Sequence, residues 1–314
     1  MWRKFIFALA LAVLVVPMAA LQPASALTVS PVIIEFDVKP GETVVGTIKL
    51  KNESESTATY YATVQDFVAG DSAGTPAFIG KSKTRSLVDW TTFDKTTVAL
   101  GGGDSDLVIY RIRVPEGAAP GGYFGGLLFS SSSPDAEGVG AVAMTGPLVL
   151  LRVAGAVVER GSLLSYGVKP ESTTSLPVDF TMDFQNSGTV HLKPQGVVRV
   201  TNMFGGTSAV VPVNAAGGNV LPDSNRVFSA KWMKAELPDN ASELVKEWKN
   251  FGFGPYTATL IMNYGESNQV VSAEASFWVM PWMLVVLFII LLVVIALLVM
   301  QYNKWIVARA VKKK

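Results

Sequence analysis

Along most of the chain, apolar and polar residues alternate with a period of two. Within residues 43–50, Val44, Gly46, Ile48 and Leu50 oppose Val45, Thr47 and Lys49. Val108, Tyr110, Ile112 and Val114 oppose Arg111 and Arg113. Val178, Phe180, Met182 and Phe184 oppose Asp179, Thr181 and Asp183, and Val198 and Val200 oppose Arg199 and Thr201. A period of two places one face of a strand in a core and the other in water. Residues 60–67, 123–130, 256–264 and 269–278 read as further strands, and 139–154 as a long apolar β-rich run. Turn chemistry separates them: Pro40-Gly41, the polar stretch 52–57, the Gly/Pro corner 115–122 and the turn 131–138. Residues 69–84, rich in Gly, Ser and Thr, read as a loop. Helical signals are confined to Glu243–Lys249, a short capped helix after Pro238-Asp239-Asn240. Short strands at this spacing predict β-sandwiches.

The pattern changes at both ends. Residues 279–300 are 22 consecutive positions without a charge or amide side chain. As a helix they extend roughly 33 Å, enough for the ~30 Å hydrocarbon layer. Pro281 falls in the expected first turn, where a missing N–H costs little. Trp278 and Trp282 at one end and Tyr302 and Trp305 at the other give the aromatic belts of a membrane span. Lys304, Arg309, Lys312, Lys313 and Lys314 follow, which predicts a cytoplasmic tail and an outside location for everything before Trp278. At the other end, Arg3 and Lys4 precede an apolar run at 5–16, Pro17 breaks it, and Ala24-Ser25-Ala26 supplies a cleavage site. This reads as a signal peptide with Leu27 as the mature start; the rival is an uncleaved second anchor.

The expected architecture is therefore mainly β: two tandem immunoglobulin-like β-sandwich domains plus one C-terminal transmembrane helix. The boundaries are signal peptide 1–26, first domain 27–155, second domain 156–277, transmembrane helix with interfacial flanks 278–303 and basic tail 304–314. The two domains share a plan. Lys51-Asn52 and Gln185-Asn186 each end an early strand, and Gly121-Gly122-Tyr123 and Gly254-Pro255-Tyr256 each open a late one. Asn and Tyr are 71 residues apart in the first and 70 in the second. A Tyr after a Gly/Pro corner suits the tyrosine corner of an immunoglobulin-like sandwich.

Composition narrows the chemistry. There is no cysteine, so disulfides, thiolate metal sites and thiol nucleophiles are excluded, as is lipoprotein acylation. The overall charge of +1 hides an asymmetry. Between Leu27 and Trp278 stand 19 basic and 25 acidic residues, a net −6, the wrong sign for a nucleic-acid binder. The single histidine, His191, has no second His or Cys for a zinc set and reads as a half-exposed strand residue. Gly70-Asp71-Ser72-Ala73-Gly74 matches a nucleophile elbow by letter, but that elbow needs a strand before it and a helix after it. Asp104 and Asp106, after Gly101-Gly102-Gly103, could offer oxygens to calcium, but a set of about six or more is needed and a turn with solvated acids is the stronger reading. No catalytic, cofactor or metal residues are assigned, and no cofactor is expected. Aromatics remain: Trp90, Phe93, Phe124, Phe129, Trp232 and Trp248 are mostly core candidates. Phe251-Gly252-Phe253-Gly254 is the best exposed patch, because flanking glycines favour a loop; Phe251 and Phe253 are the candidate ligand-binding residues.

Ser30-Pro31 before a strand, Lys39-Pro40-Gly41-Glu42 and Lys51-Asn52 resemble the start of the WxL-interacting protein family. Val114-Pro115-Glu116-Gly117 through Gly121-Gly122-Tyr123-Phe124-Gly125-Gly126 resembles it too. Asn186-Ser187-Gly188, His191-Leu192-Lys193-Pro194-Gln195-Gly196, Phe204-Gly205, 221–226, Gly254-Pro255-Tyr256 and Tyr264-Gly265 are similar to that family's second domain. The resemblance implies an N-terminal peptidoglycan-binding domain, a second domain for host or partner proteins, and a membrane anchor. The expected function is a non-enzymatic, single-pass bacterial cell-surface protein that binds cell-wall polymer or another surface protein and contacts lipid through 279–300. Its rivals are a chaperone-like protein for exported subunits, a wall-modifying hydrolase and a structural subunit of a membrane complex.

Overall fold

The structure, a computed structural model, describes residues 27–133 and 143–311. The expected signal peptide, residues 134–142 of the expected turn and β-rich run, and the last three residues of the tail lie outside the described residues.

Two sheets stack in the first half. One has the order β1 (Leu27–Ser30), β3 (Thr43–Asn52), β8 (Ser105–Arg113), β6 (Thr91–Phe93). The other runs β2 (Ile33–Val38), β11 (Leu148–Val153), β9 (Gly121–Ser130), β4 (Ala58–Ala69), β5 (Pro76–Gly80), with β7 (Thr97–Leu100) on β4 and β10 (Met144–Thr145) on β9. The alternation read from the sequence is the packing seen: Ile48, Leu50, Val108 and Ile112 meet Tyr60, Leu127, Phe129 and Leu151 in one core. Residues 69–84 are not all loop, because β5 pairs with β4 there. The Asp71 carboxylate accepts from the N–H groups of Ala73 (2.9 Å) and Thr75 (3.0 Å), and Gly70 N–H donates to the Thr75 carbonyl (2.8 Å). That Asx turn reverses the chain into a hairpin and brings Phe78 opposite Phe67. The run expected at 139–154 is broken at Gly146-Pro147 between β10 and β11.

The second half repeats the plan. A three-stranded sheet β12 (Gly161–Lys169), β14 (Val178–Asn186), β17 (Ser224–Trp232) faces five strands. These are β13 (Ser172–Thr173), β19 (Gln269–Val279), β18 (Gly254–Tyr264), β15 (Gln195–Asn202) and β16 (Thr207–Val213). Phe180, Met182 and Phe184 of β14 are fully buried against Val198, Leu260 and Phe277. Each such ring contributes about 1.5–3 kcal/mol by leaving water.

The equivalence of the halves extends to hydrogen bonds. Asn52 and Asn186 are both fully buried. Each side-chain amide donates to the carbonyl four residues on (Ser56 and Val190, both 2.8 Å) and to a distant strand or bridge residue (Leu100, 3.1 Å; Val220, 2.8 Å). Each side-chain oxygen accepts the N–H two residues on, from Ser54 and Gly188. Gly121 and Gly254 both open their strands at positive φ, 136° and 90°, where a side chain is strained. The tyrosines that follow differ in detail. Tyr123 donates its hydroxyl to the Ala119 carbonyl (3.0 Å), whereas the Tyr256 hydroxyl accepts from Phe253 N–H (3.1 Å).

α1 (Glu243–Lys249) lies between β17 and β18, and α2 (Trp282–Val311) ends the described chain. Residues Trp282–Ile306 are long and apolar enough to cross a membrane. The helix starts later than expected. Val279 is the buried last residue of β19, paired with Gly254 and Thr173. Pro281 precedes the first turn rather than lying in it, and its carbonyl accepts the Val285 N–H (2.9 Å).

Candidate functional site

Two places bring polar and aromatic side chains together: the face between the domains and the junction with α2. The outward face of β2, β11, β9 and β4 forms the first. On β2, Ile34, Phe36 and Val38 point to the core, so Ile33, Glu35 and Asp37 point out. Glu35 accepts from Lys193 (2.9 Å) and from Asn219 (2.8 Å) of the second domain. On β11, Arg152 is largely buried and its guanidinium pairs with Glu159 and Glu266, both at 2.9 Å. The Thr189 carbonyl accepts from Arg85 (3.0 Å) and from Gly122 N–H (2.8 Å). The tip of the β4–β5 hairpin reaches across as well, where the Ser72 carbonyl accepts Val227 N–H (2.7 Å) from the edge strand β17. These polar ties hold one sandwich on the other.

His191 sits inside this junction, partly exposed as expected but between β14 and β15 rather than on a strand, against the edge of Phe124 (ring centroids 5.9 Å). Its Nδ1 is buried without a hydrogen-bond partner, as is the Asn219 Oδ1. Burial pushes the imidazole below its ordinary pKa of 6.5, against the opposing charge of Glu35. Burial pushes the Glu35 carboxyl up, but the hydrogen bonds from Lys193 and Asn219 outweigh it and leave the group below 4.5.

Phe78, Phe67, Phe124 and His191 form a continuous row of rings across this face. A cleft opens on each side of Phe67. One, of about 350 Å³, has Ile33, Leu148 and Leu150 on its floor and the turn 214–221 as its wall. The other, of about 420 Å³, is bounded by Ile79, Arg85 and Pro222. β2 is an edge strand, and Val32 and Ile33 beside its free edge are 69% and 50% exposed.

The second place is the α2 junction. Glu247 of α1 is 2% exposed, and its carboxylate accepts the N–H groups of Leu284 (2.9 Å) and Met283 (3.3 Å). These are orphan donors at the start of α2, so a side chain from a different helix caps it. Beside this cap, Trp248, Phe251 and Phe253 are exposed and face the first turns of α2.

The two candidate ligand residues, Phe251 and Phe253, are thus placed together, joined by Trp248, which the helical turn of α1 brings alongside. Phe129 and Trp232 are core. Trp90 packs on Tyr123 (4.4 Å between centroids) and Phe93 on Phe129. The 70–74 motif is the hairpin tip, with a strand and not a helix after it. Asp106 pairs with Lys95. Among the described residues no group of three or more His, Asp or Glu side chains is placed to hold a metal. Glu35, Arg152, Asn219 and Glu247 carried no local sequence signal; their partners lie 36 or more positions away, apart from Glu159 seven residues from Arg152.

No sequence family and no curated protein matches the chain. Solved structures with a similar arrangement include the class 5 fimbriae chaperone CfaA, with a TM-score of 0.37 and 12% identity over 80% of this chain and 99% of that one. The E. coli chaperone DraB gives 0.35 and 11% over 79% and 96%. The Pseudomonas aeruginosa CupB2 chaperone gives 0.35 and 9% over 80% and 100%. At such scores the likeness carries no inference about what this chain binds.

Proposed function

We propose that this is a membrane-anchored, extracytoplasmic, non-enzymatic recognition protein that takes an extended segment of another surface or exported protein in the cleft beside β2. The observation that carries this reading is the pairing of a free strand edge with an aliphatic cleft. In the parallel ladder with β11, the carbonyls of Val32 and Val38 turn towards β11. The intervening Ile33, Glu35 and Asp37 therefore turn their backbone groups outward. An incoming strand finds main-chain partners there and side-chain pockets over Ile33 and Leu148. The polar ties between the domains keep the cleft open at a fixed width. The basic tail after α2 supports an outside location for both domains.

Photo-crosslinking in intact cells tests this. A photoreactive residue replacing Ile33 or Leu148 in the full chain is expected to yield discrete protein adducts. One replacing Leu107, exposed on the opposite sheet, is the control. Cleft positions that label no better than Leu107 would sink the proposal. Retention of the full chain on insoluble peptidoglycan without protein adducts would favour wall polymer, the ligand that the family resemblance implies.

A further inference from the structure

A groove of about 900 Å³ separates Trp248, Phe251 and Phe253 from one face of α2, formed by Val285, Phe288 and Leu291. Its lining residues are all apolar. Its depth follows from α2. Trp282 and Tyr302 are 20 residues apart, about 30 Å along a helix, which matches the hydrocarbon thickness. With Trp282 at the outer boundary, Leu291 lies about 13 Å inside the outer leaflet. On the membrane-anchored reading proposed above, the groove is continuous with the spanning surface and opens into acyl chains, not into water.

We infer that this groove holds an acyl chain of an outer-leaflet lipid, with Trp248, Phe251 and Phe253 dipping into the bilayer as an aromatic apron. Two features choose a lipid chain over a second helix. Between Trp282 and Ile306 there is no glycine, serine or threonine and only one alanine, Ala296, so the small-residue seam that lets helices approach closely is missing. The groove face of α2 is instead bulky and irregular, which a flexible chain fills and a rigid rod does not. The apron itself has the composition of an interfacial anchor, with rings at the level where Trp and Phe partition. Glu247 fixes its position, because the cap ties α1, and hence Trp248, to the first turn of α2. The inference rests on the proposed membrane anchoring of α2 and stands whatever the cleft between the domains binds.

The full chain, reconstituted in phosphatidylcholine vesicles whose lipid carries a photoactivatable group on the acyl chain, tests this directly. Illumination followed by peptide mapping is expected to place adducts on Trp248, Phe251 or Phe253 as well as on α2. Native mass spectrometry is expected to find phosphatidylcholine retained by the wild type and lost from a Trp248→Ser, Phe251→Ser, Phe253→Ser variant. Adducts confined to α2 would overturn the inference without requiring any variant to fold. So would Phe253→Cys chains that crosslink to one another in place of labelling by lipid, which would put a second copy in the groove.

Discussion

Replacing Glu247 by alanine removes a side chain that caps α2, and its effect can be worked out from the geometry. The carboxylate accepts Leu284 N–H at 2.9 Å and Met283 N–H at 3.3 Å from a site that is 2% exposed. Hydrogen bonds to a charged acceptor contribute about 1.5–3 kcal/mol, with the longer bond at the low end. The charge at a helix N-terminus adds about 0.3–1 kcal/mol. Against this, the truncation relieves the cost of burying a carboxylate, several kcal/mol before compensation. The net loss for the docked state of α1 on α2 is about 2–3 kcal/mol, which is about 30- to 150-fold in an equilibrium constant. Glu247→Gln keeps one acceptor oxygen and the shape, and loses about 1 kcal/mol. Amide hydrogen exchange of the full chain in nanodiscs reads this out. The Met283 and Leu284 amides are expected to exchange about 30- to 150-fold faster in the alanine variant, with glutamine in between. Strand β18 serves as the internal reference. If both amides in the alanine variant stay within about threefold of wild type, roughly 0.6 kcal/mol, the cap is not what holds the domain to the helix.

Asn52→Ala and Asn186→Ala each leave several buried backbone groups unpaired and are expected to destabilise their own domain by about 3 kcal/mol, seen as a lowered Tm for one of two unfolding transitions. Arg152→Met leaves Glu159, 12% exposed, without its cation, and is expected to loosen the domain junction by about 2–3 kcal/mol. Faster proteolysis at the linker 154–160 would report it. The junction also responds to pH. The folded imidazole of His191 resists protonation that the unfolded one accepts near 6.5, so its contribution is intact above 6.5 and is lost as pH falls below that value. Glu35, held below 4.5, adds a second loss in the same direction as pH falls through its lowered value. Asp37, Lys193 and Arg152 also act on His191. A His191→Phe variant is expected to flatten the fall in Tm that begins below pH 6.5; an unchanged pH profile would remove His191 from the account.

What the sequence made legible was whatever one strand face decides by itself. Val178 to Phe184 could be read because every second residue is buried and every other one is not, and the structure keeps that division. The Asn–Tyr spacing could be read because the same buried amide pins the same kind of turn twice. β5 could not: five residues bounded by Pro76 and Gly80 show too little alternation, and only the pairing of Phe78 with Phe67 makes them a strand. The start of α2 was misplaced because an apolar residue ending a buried strand looks like one entering a bilayer, and Val279 is the former. Phe251 and Phe253 were found through their glycines, whereas Glu247 looked like any surface carboxylate on a short helix. Its role exists only because β18 and β19 carry the chain away and return it beside α1. The same holds for Arg85 and Thr189, 104 positions apart, and for Glu35 and Asn219, 184 apart.

These long-range ties have a joint geometrical consequence. The turn between β18 and β19 places Glu266 on Arg152 of the first domain, and the far end of β19 runs into α2 after Met280 and Pro281. One strand of 11 residues therefore spans from the domain junction to the membrane helix, about 36 Å at 3.3 Å per residue. At one end of it Glu266 pairs with Arg152 of the first domain, and at the other Glu247 fixes the helix. A strand inside a five-stranded sheet does not bend freely, so the domain junction is held at a set distance of about 35 Å along β19 from the start of α2. A flexible stalk would let the same cleft sample every height and orientation. On the proposed membrane-anchored reading, that fixed distance favours a partner that is itself positioned relative to the bilayer. Lengthening the β19–α2 connection by a few glycines would then weaken crosslinking at Ile33 in cells while leaving both sandwiches intact. Crosslinking undiminished by such an insertion would show that the cleft needs no fixed distance from α2.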